Sequence, residues 1–152
     1  MQPTLILGLG NPLQADDGIG CRVAQELATR ALPDVEVMDG GTPGVGLINL
    51  LQGRARAIIV DAAEMQLLPG EVRVFDPRQV HLDRAREQFS LHHCGVADAL
   101  ALADALKLTL PEITLVGVQP ARVEWGAQLT PRVQAALPRV IETVIQQLDA
   151  VP

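Results

Sequence analysis

Residues 4–20 read TLILGLGNPLQADDGIG, and the parsing of this stretch decides the fold. Residues 4–10 are a short unbroken apolar run closing on glycine, the pattern of a strand buried on both faces of a sheet. From Asp16 the period changes. Ile19, Val23 and Leu27 recur every four residues while Arg22, Gln25, Glu26 and Arg30 take the other side, as in an amphipathic helix. Gly8 and Gly10 would suit a loop cradling phosphate. Asp16 and Asp17 oppose that use, because they stand at the helix start, where the positive end of the helix dipole would otherwise attract an anion. Either acid can instead cap the helix.

Downstream the same alternation continues. Residues 35–39 (VEVMD) read as a second strand closed by Asp39, 40–44 (GGTPG) as a turn, and 45–53 as a short helix stopped by Gly53. Residues 56–62 (RAIIVDA) form a third apolar strand closed by Asp61. Residues 68–77 hold a turn and a strand of period-two alternation, suited to a sheet edge. Residues 77–90 are charged and irregular, 92–108 are helical and rich in Ala and Leu, and 112–120 are another strand. Residues 130–148 make a closing helix with Thr130 at its N-cap and Pro131 in its first turn, and Pro138 is expected to kink or divide it. Strands alternating with helices predict an α/β fold in one domain over 1–152, a mostly parallel sheet covered on both faces. Ligands of such folds bind beyond the carboxyl ends of the strands. That rule gathers Asp16, Asp17, Asp39 and Asp61 at one rim.

Composition narrows the function. The 152 residues are 48 % hydrophobic and 20 % charged, with 12 basic against 18 acidic side chains. A net charge of −6 argues against nucleic acid as partner, since phosphate contacts need clustered Lys and Arg. No apolar run approaches the roughly 18 residues of a membrane span, and the N-terminus lacks the basic region of a signal peptide. A cytoplasmic protein without membrane insertion is expected. Cys21 and Cys94, the two cysteines, are too few for a disulfide scaffold or a four-cysteine zinc site.

Three chemistries compete for the rim. Dinucleotide binding would place a third glycine at position 13, which is Leu13, although Asp39 suits a ribose contact. An esterase of the peptidyl-tRNA hydrolase kind shares the opening GLGNP, but needs a histidine soon after it and a basic face, whereas the first histidine here is His81. A metal site could draw on Asp17 and Asp61, with His92 or His93 from SLHHCG (90–95), a ligand set suited to nickel or zinc with positions left open. The bland alternatives are an N-cap for the acids of the pair, a turn role for Asp61 and a solvated histidine.

Taken in order, GLGNPLQADDGIG, DGGTPG, IIVDA, LPGEVRVFDP, SLHHCG and LVGVQP strongly resemble the hydrogenase maturation endopeptidases, from residue 4 to about residue 148. The resemblance implies a twisted, mostly parallel sheet between helices, a three-layer α/β/α arrangement. It also implies an endopeptidase that removes the C-terminal extension of a [NiFe] hydrogenase large-subunit precursor after nickel insertion, with the bound nickel as recognition signal. The family's metal-binding positions fall on Asp17, Asp61 and His92, which are also the catalytic candidates through the metal. His92 is favoured by its spacing to Gly95, and His93 is the alternative imidazole. The turn Asp39, Gly40, Gly41 and Thr42 is implied in substrate binding. The nickel belongs to the precursor, and no tightly bound cofactor is expected in the enzyme. No nucleophile is identified: Ser90 is the sole serine, and Cys94 has no evident activating partner. A metal-binding chaperone without peptidase activity and a nucleotide-binding α/β protein are the alternative functions.

Overall fold

The computed structural model describes residues 3–77, 90–91 and 96–150. Strand β1 (Thr4–Leu9) is buried from Leu5 onward and leads through a tight turn, including a 3-10 turn at Ala15–Gly18, into helix α1 (Ile19–Ala28). Strand β2 (Val35–Gly41) and a 3-10 turn at Gly44–Gly46 precede the short helix α2 (Leu47–Leu51). Strand β3 (Arg56–Glu64) is the central strand. It is followed by β4 (Val72–Phe75), β5 (Ser90–Leu91), helix α3 (Val96–Ala105), β6 (Glu112–Val118) and the long helix α4 (Pro131–Asp149). The strands line up as β2-β1-β3-β6-β4, and β5 pairs with the far end of β3. The β1–β2, β1–β3 and β3–β6 pairs are parallel, and β4 closes the edge antiparallel to β6.

Two apolar layers flank the sheet. Leu5, Leu7, Leu9, Ile59 and Ala63 face Leu47, Leu51, Val96 and Ala99 of α2 and α3. Ile6, Ile58, Val60 and Val116 face Ile19, Val23, Leu27 and the Val133, Val140 and Val144 stripe of α4. Alternate residues of each strand thus feed opposite layers, which is why these strands read as continuous apolar runs. The α/β/α architecture expected from the sequence is the one observed.

Three local expectations are corrected. Asp39 and Asp61 do not close their strands: β2 continues to Gly41 and β3 to Glu64. Asp61 lies opposite Gly117 of β6, and the ladder continues through Ala62↔Val118 before β5 takes over at Ala63 and Glu64. Neither acid of the Asp16–Asp17 pair caps α1, whose N-cap is Gly18 with no side-chain bond. Pro138 does not divide α4, which runs unbroken for 19 residues. Pro138 and Gln134, whose carbonyl loses its intrahelical donor, are both exposed, so water can serve that carbonyl.

Candidate functional site

Glycine lets the first helix settle directly on the sheet. A Cβ on Gly8 would lie 2.1 Å from the Gly20 carbonyl oxygen, and a Cβ on Gly20 would lie 2.3 and 2.4 Å from the carbonyl oxygens of Leu9 and Val60. No side chain fits there. The start of α1 therefore rests on the ends of β1 and β3, next to Asp61. Gly10 adopts φ +128°, with the Asp17 backbone where a Cβ would be. The geometry of this glycine turn brings the acidic turn down onto the rim.

Asp17 is fully buried, and its Oδ2 accepts a 2.8 Å hydrogen bond from the Asn11 N–H. Asp61, on the same face of β3 as Ile59 and Ala63, is 5 % exposed. Its Oδ1 has no hydrogen-bond partner among the described residues. Desolvation first, and then the neighbouring Asp17 charge, push the Asp61 carboxyl well above its ordinary value, against a smaller opposing pull from the Ala62 backbone. Burial beside Asp17 thus disfavours the charged form of Asp61.

The turn after β2 reaches the same rim. Gly10 N–H donates to the Gly41 carbonyl at 2.8 Å. The exposed Asp39 carboxylate accepts from the Gly41 N–H at 3.2 Å. Gly41 sits at φ +59° with open space where a side chain would be, and Thr42 is exposed. Cys21 was not among the site residues expected from the sequence. It is fully buried and donates to the Gly10 carbonyl at 3.2 Å. Burial, a hydrogen bond to Asp39, and the charges of Asp39, Asp17 and Asp61 push its thiol up to about 12. The charges of three acids far apart in the chain thus all act on one thiol. The spacing of four residues between Asp17 and Cys21 was the available signal. At neutral pH Cys21 is protonated and is no nucleophile.

Asp16 faces away from this group. Its carboxylate accepts from the N–H groups of Ala121, Arg122 and Thr130 and from the Thr130 hydroxyl, at 2.7 to 3.0 Å. The Thr130 hydroxyl is spent there and does not cap α4. Gln119, also missed by the sequence reading, ties the ends of β6 and β3 together: its amide oxygen accepts from Met65 N–H at 2.7 Å and its nitrogen donates to Glu64 at 2.9 Å.

His92 and His93 lie outside the described residues. Leu91, which precedes them in the chain, pairs with Ala63, two residues beyond Asp61. Among the described residues no group of three or more His, Cys, Asp and Glu side chains is arranged to hold a metal ion. Asp17 and Asp61 are brought together; the imidazole of the expected set is not among the residues described.

The model of a family described as hydrogenase maturation protease matches residues 21–147. The chain belongs to the hydrogenase maturation protease family. This maturation protease is 37 % identical over 150 residues to the hydrogenase 2 maturation protease of Escherichia coli, covering 95 % of this chain and 89 % of that one. It is 37 % identical over 147 residues to the hydrogenase expression/formation protein HupD of Bradyrhizobium diazoefficiens, covering 95 % and 77 %. Its structure resembles the hydrogenase maturating endopeptidase HybD from E. coli, with TM-score 0.82 and 32 % identity over 97 % of this chain and 92 % of that one. It also resembles the [NiFe] hydrogenase maturation protease HybD from Thermococcus kodakarensis, with TM-score 0.78 and 30 % identity over 95 % and 98 %. The maturation protease is an endopeptidase, a hydrolase that processes protein. No helix among the described residues is long and apolar enough to cross a membrane.

Proposed function

We propose that this endopeptidase removes the C-terminal extension of a [NiFe] hydrogenase large-subunit precursor once nickel has been inserted, and that it recognises the nickel itself. The observation that carries this reading is the buried Asp17–Asp61 pair, in which one Asp61 oxygen has no hydrogen bond among the described residues and the charge is disfavoured. A cation presented by the substrate relieves both. Two hard oxygens and one nitrogen, from Asp17, Asp61 and His92, make an incomplete shell that the precursor's own thiolates complete. Such a shell binds weakly alone. It therefore separates loaded from unloaded precursor, which contacts with the peptide alone could not do.

The chemistry is hydrolysis of one peptide bond. Water adds to the scissile carbonyl, the C–N bond breaks, and the products are a new carboxyl terminus and a free amine. Asp17 or Asp39 takes the proton from the attacking water and returns it to the leaving nitrogen. The Asp39–Thr42 turn, held against Gly10 through Gly41, borders the substrate. Asp17, Asp61 and His92 hold the precursor's metal, which fixes the scissile bond at the rim as a template.

The test is to incubate the protein with its precursor, with and without nickel, and to follow the mass of the large subunit. A small mass loss at the carboxyl end only in the loaded sample is expected. Metal binding without any mass loss would favour a chaperone role, and equal cleavage of both samples would end the nickel-recognition reading.

A further inference from the structure

Asp16 is absorbed neither by the helix it was expected to cap nor by the acids around Cys21. We propose that Asp16 is a positioning residue for the peptidase reaction, clamping the loop 119–130 onto the turn that carries Asp17 and so fixing where the Asp17 carboxylate points. The proposal rests on the reading of Asp17 as a ligand of the substrate's metal.

The clamp is dense. Asp16 is fully buried, and both its oxygens are used. Oδ2 accepts from Ala121 N–H at 2.8 Å, Arg122 N–H at 3.0 Å and the Thr130 hydroxyl at 2.7 Å, while Oδ1 accepts from Thr130 N–H at 2.7 Å. Main-chain bonds run alongside, from Asp16 N–H to the Arg122 carbonyl, Ala15 N–H to the Gly126 carbonyl and Gly126 N–H to the Leu13 carbonyl. All of these partners lie more than 100 residues away in sequence, and every one of them is on this single loop.

The clamp has something to hold. Ala15, two residues before Asp17, sits at φ +53°, a left-handed conformation that costs a side-chain-bearing residue about 1–2 kcal/mol. Strain of this kind persists where the surroundings over-determine it, and such places cluster at functional sites. Releasing the clamp lets Ala15 relax, and Asp17 turns with it. The loop also walls a cavity of about 770 Å³ whose lining includes Ala15, Arg122, Trp125, Leu129 and Arg132. Asp16 therefore sets the relation between that wall and the Asp17 carboxylate.

The full-length protein is assayed on nickel-loaded precursor, well below the unfolding midpoint of each variant. Asp16→Asn replaces an acceptor oxygen with an amide donor against donors. Its kcat is expected to fall about 30-fold or more, as for a catalytic group misplaced by about an ångström, with KM changed less than about 3-fold. A purely structural role would lower Tm and leave kcat per folded molecule unchanged, and that result overturns the proposal. Adding Ala15→Gly, which removes the penalty of the left-handed turn, is expected to recover kcat several-fold. Absence of recovery would show that the loss does not come from the turn and would also overturn it. If Asp16→Asn fails to fold, Thr130→Val decides: removing one of the four donors should cost kcat about 5-fold, and a wild-type kcat overturns the proposal. Asp17→Ala separates the two readings. If it processes normally, the reading of the site fails; if it is inactive while Asp16→Asn is normal, only the clamp fails.

Discussion

Asp16 and Asp61 are both buried aspartates near the carboxyl ends of the parallel strands, and their surroundings are opposite. Asp16 meets four donors. Asp61 keeps a buried oxygen without a hydrogen bond among the described residues, beside the charge of Asp17. A carboxylate surrounded by donors has its charge met by the fold and fastens one segment to another. A carboxylate buried short of partners among the described residues, next to another of the same charge, is the kind of group that the proposed function assigns to the substrate's cation.

The sharpest way to break this comparison is activity. Asp17→Ala, Asp61→Ala and His92→Ala are expected to fold and to lose processing of loaded precursor by more than about 100-fold, since changes one shell further from a metal already cost about 10–100-fold. Wild-type processing by all three would remove the metal-recognition scheme. Stability sharpens it next, because the two acids should respond with opposite sign. Asp16→Ala strands three backbone N–H groups and a hydroxyl, and at about 1–3 kcal/mol for each unmade bond it should lose at least about 3 kcal/mol in chemical denaturation. Asp61→Asn removes a disfavoured buried charge and should gain on the order of 1 kcal/mol at neutral pH while losing activity.

The pH dependence follows from the same asymmetry. The Asp61 carboxyl is raised in the folded state above its ordinary 3.8. Its contribution to stability is then full below that value and is lost as pH rises through the folded-state value. Comparison of metal-free wild type with Asp61→Asn by denaturant unfolding should show wild type falling behind as pH climbs from 3.8. A constant difference would contradict the burial argument. Two smaller effects remain. His93→Ala should reduce processing less than about 3-fold, and a larger loss than for His92→Ala would exchange the two imidazoles. Cys21, whose thiol is pushed up to about 12, should escape alkylation at pH near 8 in the folded protein and be labelled on unfolding, as read by peptide mass mapping.

Much of the architecture was legible because it is periodic. The apolar run before Gly8 and the four-residue spacing of Ile19, Val23 and Leu27 fix a strand and a helix whose buried faces are those observed. The parallel-sheet rule placed Asp16, Asp17, Asp39 and Asp61 at one rim, and the charges of the last three act together on Cys21. The bounds of their strands were not legible, because a charged side chain reads as the end of an apolar run. The ladder passes Asp61, which pairs with Gly117, and runs on through Ala62↔Val118 and then Ala63↔Leu91. The role of Asp16 could not be read locally. Its partners sit 105 to 114 positions along the chain, and a short-range signal for an N-cap was the nearer explanation. Cys21 carried a usable signal in its spacing from Asp17, but a lone cysteine in an apolar helix face reads first as core.

The central claim is that side chains of this protein join the coordination shell of nickel held by its client. X-ray absorption at the nickel edge tests it most directly, on loaded precursor alone and on precursor mixed with the protein and rapidly frozen. New oxygen and nitrogen neighbours on mixing with wild type, missing when Asp61→Ala is used, are the predicted result. A nickel environment unchanged by mixing, in a sample that nevertheless goes on to be cleaved, would contradict the account.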